Sequence, residues 1–218
     1  MVALGSLLAD RTRVEILTTL MDGRALTSGE LARTVGVATS TASDHLGRLL
    51  DGGLVTVRAL GRHRYFRLAD AQVAALLESL GAVPAPESAP HPRAPAALAY
   101  ARSCYDHLAG QLGVRVLETL HSRDAVADDG PDRLRVTAAG DRVFASLGVD
   151  IRVPRGGSRP LVRPCLDWTE RRDHLAGALG AALLTAFLEA GWLARTERPR
   201  ALRVPRAGRP ALEAWLAG

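Results

Sequence analysis

Two cysteines and two histidines are the residues of this chain best suited to chemistry. Cys104 and His107 stand three apart, and Cys165 and His174 nine apart. Two thiolates and two imidazoles are the donor set of a tetrahedral site for Zn²⁺ or another thiophilic metal. The same residues admit other readings. Cys104 and Cys165 make a redox pair if their Cα atoms come within about 7 Å. A cysteine beside a histidine is a nucleophile beside its base. With Tyr105, Trp168 and Arg171 the four form a mixed aromatic and polar lining, which suits an organic effector. The plainest reading is two small buried thiols and two capping histidines. The gap of nine is not a compact ligand spacing, and Asp106, Asp167 and Asp173 serve as caps equally well. An unidentified organic effector held by Tyr105, His107, Trp168 and Arg171 is therefore the preferred functional reading. A metal or thiol-redox response through Cys104, His107, Cys165 and His174 is the alternative. A cysteine-dependent enzyme ranks last, because no orienting third residue or oxyanion loop is evident.

The elements that carry these residues repeat. The pentapeptide DHLAG occurs at Asp106–Gly110 and again at Asp173–Gly177, 67 residues on. Leu108, Leu112, Val116, Leu117 and Leu120 match Leu175, Leu179, Leu183, Leu184 and Phe187 at the same offset. Further on, LRVTAAGDRVFASLG from Leu134 matches LRVPRAGRPALEAWLAG from Leu202. Each copy reads as a long helix, a loop, a strand and a short helix, an internal duplication of a supersecondary unit. On this reading Cys104 and His107 share one helix face, and Cys165 and His174 precede or open the second helix. Gly110 and Gly113, like Gly177 and Gly180, are expensive inside a helix. They predict a close approach of the two long helices around a pseudo-twofold, with ligand space between the copies.

The first eighty residues have a different pattern. Apolar spacing at Leu4, Leu7, Leu8 and then Val14, Leu17, Leu20 and Met21 is helical, and Gly23 ends it. A short helix runs from Ser28 to Val35, with Thr27 or Ser28 as its N-cap. A second runs from Ser40 to Leu50. LVTVRAL and HRYFRLA then alternate as the strands of a hairpin about Gly61–Arg62, and Asp70 caps a last helix through Leu80. This order is a winged helix-turn-helix. The helix 40–50 buries Ala42, Leu46, Leu49 and Leu50 and presents Ser40, Thr41, Asp44, His45 and Arg48. Those polar groups can meet base edges and phosphates. Residues 52–69 add Arg58, Arg62, His63, Arg64 and Arg67 and contain no acid, which is a local basic stripe.

Residues 3–82 resemble the ArsR family of winged-helix repressors. The likeness rests on RVEILTTLMDGRALTSGELARTVGVATSTASDHLGRLLDGGLVTVRALGRHRYFRL. It implies that Thr39, Ser40, Thr41, Ser43 and His45 touch DNA, in a homodimer on a palindromic operator of double-stranded DNA. Asp44 departs from the family's pattern. So do the positions of the family's metal sites: TSGELART has no Cys and DAQVAALLESL no His. The resemblance therefore does not imply an arsenic sensor.

The chain has 218 residues and a formal net charge of +5, and all of its 28 Lys+Arg residues are Arg. The arginine excess fits a coding bias, so the placement of the charges is more informative than their sum. No apolar run approaches the ~18 residues of a membrane span, and two cysteines make no disulfide framework. The expectation is a cytoplasmic, non-enzymatic regulator of transcription. It is mainly α with small β wings: a winged helix-turn-helix at 1–82, a stiff Pro/Ala linker at 83–97, and a C-terminal α+β sensor and dimerisation domain at 98–218 built from two copies of a helix-strand-helix unit.

Overall fold

Asp10 breaks the first apolar stretch into two helices, α1 (Val2–Leu8) and α2 (Arg11–Leu20). Its carboxylate accepts from the Arg13 amide at 3.0 Å, the N-cap arrangement that satisfies an otherwise orphaned donor. The computed structural model describes residues 2–61, 63–82, 95–130, 132–152 and 159–217. These fall into two compact units, Met1–Leu77 and Glu78–Gly218.

In the first unit a two-residue strand β1 (Leu26–Thr27) leads into α3 (Ser28–Val35). Thr27 is the N-cap, and it forms a reciprocal capping box with Glu30. Gly36 ends α3 in the left-handed region, at φ 74°, a conformation that costs glycine nothing. The turn it makes sets α4 (Thr39–Asp51) across α3. Strands β2 (Val55–Leu60) and β3 (His63–Leu68) pair antiparallel with Leu60 opposite His63, and β1 adds to β3. The winged helix-turn-helix expected from the sequence is thus present, with Arg62 itself lying outside the described residues. Ile16, Leu17, Leu20, Leu31, Leu46, Leu49 and Leu68 are fully buried in the core. Each contributes about 1.5–3 kcal/mol through burial. Asp70 accepts from the amides of Gln72 and Val73 and starts α5 (Ala71–Ala82).

The second unit departs from the expected helix-strand-helix copy. Residues 83–94 of the expected linker lie outside the described residues, and at its end α6 (Ala96–Tyr100) already begins, after Pro95. Next comes a hairpin of β4 (Arg102–Cys104) and β5 (His107–Ala109), then α7 (Gln111–Ser122), a hairpin of β6 (Val126–Asp128) and β7 (Leu134–Val136), and α8 (Gly140–Ala145). The same order follows again: β8 (Arg163–Leu166) with β9 (Asp173–Ala176), α9 (Ala178–Glu189), β10 (Ala194–Arg195) with β11 (Leu202–Arg203), and α10 (Arg209–Ala217).

DHLAG is therefore not helical. Its His-Leu-Ala forms a strand, and its Gly is the N-cap of the long helix, at φ 82° in Gly110 and 91° in Gly177. An L side chain rarely adopts that backbone, and a Cβ there would lie 2.7 Å from the Ala99 carbonyl oxygen or 2.8 Å from that of Leu161. The expected packing of the two long helices against each other is also replaced. Helix α7 packs on β9, and α9 packs on β5. Leu112, Leu120, Leu179, Phe144 and Phe187 fill the core around them.

Candidate functional site

Helix α4 buries Ala42, Leu46 and Leu49 completely. Thr39, Ser40, Thr41, Ser43, Asp44 and Arg48 are exposed on its other side. Ser43 donates its hydroxyl to the Thr39 carbonyl at 2.9 Å, so only its oxygen lone pairs remain for an outside donor. The wing alternates with period two. Arg58, His63 and Arg67 are exposed on one face of the ribbon with Tyr65 between them. Arg64 lies on the opposite face, with its guanidinium 5.4 Å above the buried Phe66 ring.

His45 differs from its neighbours on α4. Its side chain is only 16% exposed, and its Nδ1 lies 3.7 Å from an Asp10 carboxylate oxygen and 3.4 Å from Arg13 Nη1. Arg13 is itself buried, with Nε donating to the Leu7 carbonyl at 2.6 Å and Nη2 to that of Ser6 at 2.8 Å. One guanidinium thus holds the end of α1, the start of α2 and the middle of α4. The sequence pattern marked His45 as a groove residue and passed over Arg13.

Cys104, His107, Cys165 and His174 come together in the second unit, and one ligand atom from each lies within 4.8 Å of every other. All four are buried, and both thiols are free. Strand register explains the meeting. Cys104 pairs directly across from His107, and Cys165 from His174. Residues opposite each other in an antiparallel pair point to one face with Cβ atoms about 4.5–5.5 Å apart, whatever the length of the turn that joins them. The gap of nine is therefore no obstacle. The β4–β5 turn is tight, with Tyr105 in the left-handed region at φ 61°. The longer β8–β9 loop places Arg171 at φ 55°.

A carboxylate stands beside each histidine. Asp106 Oδ1 is 3.2 Å from His107 Nδ1, and Asp167 Oδ2 is 3.4 Å from His174 Nδ1. The Nε2 atoms of both rings are buried without a hydrogen-bond partner. Burial pulls the His107 imidazolium down, but Asp106 and Cys165 outweigh it and raise its pKa above the ordinary value. Burial pushes the Cys104 thiol up, while the hydrogen bond from Cys104, helped by His107 and His174, holds Cys165 well below the usual thiol range. Burial works against ionisation of Asp106, yet His107 and Arg159 bring its pKa down to about 2.

Asp167 does more than face His174. Its Oδ2 accepts from the Gly110 amide at 2.6 Å, its Oδ1 accepts from the Thr169 amide at 2.9 Å, and Arg102 Nη2 lies 3.0 Å away. Despite burial, Arg102 and these donors lower its pKa. Arg102 is fully buried, and its guanidinium lies 4.9 Å from the Trp168 ring. Trp168 is therefore a packing partner of Arg102, and Arg171 is exposed. Trp168, one of the residues expected to hold an organic effector, is thus packed against Arg102. The carboxylate beside each imidazole supplies the third residue that the sequence did not show for a cysteine enzyme. The thiols are 1% and 7% exposed.

A model described as a helix-turn-helix domain matches residues 8–58. The uncharacterized HTH-type transcriptional regulator YdfF of Bacillus subtilis (strain 168) is 41% identical over 217 residues, 98% of this chain and 95% of the relative. The chain belongs to the HTH-type transcriptional regulators. The HTH-type transcriptional regulator CmtR of Mycobacterium tuberculosis (strain ATCC 25618 / H37Rv) is 42% identical over 77 residues, 35% of this chain and 64% of the relative. Among solved structures, the homodimeric winged helix-turn-helix DNA-binding domain of Mb0332 from Mycobacterium bovis is 33% identical, covers 36% of this chain and 72% of that one, and has a TM-score of 0.35. The transcriptional repressor BigR from Xylella fastidiosa is 29% identical, covering 36% and 80%, with a TM-score of 0.34. Among the described residues of this regulator, no helix is long and apolar enough to cross a membrane.

One signal in the sequence pointed to the four-residue cluster. Arg-x-Cys occurs twice, at Arg102–Cys104 and Arg163–Cys165, each ahead of a His-Leu-Ala-Gly. The extra residues of the β8–β9 loop shift the second Arg-x-Cys out of the offset that the rest of the repeat keeps.

Proposed function

We propose that this regulator is a homodimeric repressor that reads a palindromic operator with α4 and grips the flanking backbone with its wing. The C-terminal unit, in this reading, is a duplicated hairpin-helix module that responds to an effector. The observation that carries the DNA-reading assignment is the division of α4. Ala42, Leu46 and Leu49 on its apolar side are completely buried and Leu50 is half-buried, while Thr39, Ser40, Thr41, Ser43 and Arg48 remain exposed. Short hydroxyls and a guanidinium suit base edges and phosphates. Arg58 and His63 on one face of the wing and Arg64 on the other supply the charges for the flanking backbone. One experiment tests the reading. DNA fragments retained by the protein are recovered and sequenced, and affinity for the enriched site is compared with random DNA across a salt series. Thr41→Ala should weaken the enriched site by about 1–3 kcal/mol and leave random DNA unchanged. Arg64→Ala should weaken both and reduce the salt slope by about one unit. Absence of any enriched sequence would leave a protein-binding module as the reading.

A further inference from the structure

We propose that Cys104, His107, Cys165 and His174 form a closed tetrahedral Zn²⁺ site that ties the two large hairpins of the C-terminal unit together. The site is independent of the DNA-reading surface and does not rest on it.

Four lines of geometry carry the assignment. The first is distance. Metal–sulfur bonds of about 2.3 Å and metal–nitrogen bonds of about 2.0–2.1 Å set ligand atoms of a tetrahedron about 3.3–3.8 Å apart. The ligand atoms here already lie within 4.8 Å of one another, so closure onto an ion needs side-chain shifts of about 1 Å or less.

The second is the state of the imidazoles. His107 is 3% exposed and His174 is fully buried, and neither Nε2 has a hydrogen-bond partner. A buried polar atom without a partner carries a desolvation cost that a bound cation would remove. The third is a carboxylate near each Nδ1: Asp106 is hydrogen-bonded to that of His107, and Asp167 lies 3.4 Å from that of His174 without a formed bond. Carboxylate–histidine–metal arrangements fix the ring and direct Nε2 at the ion. These two carboxylates already face Arg159 and Arg102, so their charges are compensated. Two thiolates and a divalent cation then leave the centre neutral.

The fourth is the backing of the ligands. Cys104 and Cys165 sit in a cluster with Ala109 and Ala176, the small residue of each DHLAG. Gly113 of α7 comes against the Cβ of His174, and Gly180 of α9 against the Cβ of His107. Each helix thus supports the histidine contributed by the other hairpin. Four protein ligands and no solvent exposure describe a closed structural site rather than an open catalytic one. The soft and borderline donors exclude Mg²⁺ and Ca²⁺, and the S₂N₂ set selects Zn²⁺. Coordination displaces to solvent whatever protons the thiols and the ligating imidazole nitrogens still carry, and no electron is transferred.

The test uses the full chain, reduced, stripped with a chelator and dialysed against Zn²⁺ or Co²⁺, with no DNA present. One equivalent of Zn²⁺ should remain per chain. Co²⁺ should give the intense ligand-field bands of tetrahedral geometry together with a thiolate charge-transfer band. Cys104→Ser or Cys165→Ser should each halve that band, and the double variant should lose it. His121→Ala, at a half-buried position outside the cluster, should leave it unchanged. Circular dichroism and gel filtration monitor folding, and the wild-type Co²⁺ spectrum decides the question even if a serine variant fails to fold. An octahedral spectrum, no thiolate band, or no retained metal in the reduced wild type would overturn the site. So would a Cys104–Cys165 disulfide that persists under these conditions, since it would make the pair a redox element.

Discussion

The rings of His107 and His174 stack with their centroids 5.1 Å apart and their planes 25° from parallel, although the two belong to different hairpins. Glycine makes the approach possible. A Cβ on Gly113 would stand 2.6 Å from the Leu108 carbonyl oxygen and 3.4 Å from the Cβ of His174. On Gly180 it would stand 2.5 Å from the Leu175 carbonyl oxygen and 3.3 Å from the Cβ of His107. The first turn of each helix therefore lies directly on the hairpin preceding it and beside the histidine of the other.

Gly113→Ala and Gly180→Ala should each destabilise the protein by about 1–3 kcal/mol through overpacking, read as a lower urea midpoint. Gly47 is the contrasting case. It lies inside α4, and a Cβ there would meet nothing within 4 Å. Gly47→Ala should stabilise by about 0.5–1 kcal/mol, the helix-propensity difference. If all three substitutions behaved alike, the close approach would not govern the site.

Asp106 connects the cluster to its surroundings through His107 on one side and Arg159 on the other. If it orients a metal-bound imidazole, Asp106→Asn should lower Zn²⁺ affinity about 10- to 100-fold with the fold intact. Competition with a chromophoric chelator measures this. Unchanged affinity would assign Asp106 to Arg159 alone.

The capping box of α3 predicts a pH effect. Glu30 accepts from the Thr27 amide and hydroxyl, which hold its pKa below the ordinary glutamate value. A depressed carboxylate stabilises the fold above its unfolded pKa, and that contribution is lost as pH falls through the folded value. Thr27→Ala should cost about 1 kcal/mol at neutral pH. It should also shrink, without abolishing, the stability lost between about pH 5 and 3, because the backbone donor remains. Urea midpoints of both proteins across that range check the sign.

Much of the first unit was legible because its elements are local. Thr27 with Glu30, Gly36, and the alternation around Gly61 each declare a cap, a turn or a hairpin within a few residues. The second unit was legible as a repeat but not as a shape. DHLAG-Q-L-G-V reads as one helical stripe, since Leu108 and Leu112 are spaced four apart. Only the positive φ of Gly110, where the carbonyls of Ala99 and Tyr100 leave no room for a Cβ, separates strand from helix there. Once Cys104 and His107 were placed on a helix, the spacing of Cys165 and His174 spoke against a shared site. On paired strands the register decides, and turn length carries no penalty. Burial of Arg102 and the contacts of Asp167 depend on partners far along the chain, which no local pattern encodes.

The position of His45 separates groove reading from support. Arg13 can only donate, so a bond to His45 requires Nδ1 to accept, which turns that edge of the ring inward toward α2. Arg13 in turn holds two carbonyls of α1 and lies beside Asp10. His45→Ala should therefore cost about 1 kcal/mol of stability, the net value of a partly buried hydrogen bond. It should also lower affinity for the preferred site and for random DNA by the same factor, because it loosens the seating of α4 without removing a base contact. Thr41→Ala, on the exposed side, should do the reverse: unchanged stability and a loss confined to the preferred site. Parallel urea titrations and fluorescence-anisotropy binding to both DNAs measure the four quantities. A loss on the preferred site alone, with unchanged stability in His45→Ala, would mean that the ring swings out of the Arg13 contact to read the groove when DNA is bound.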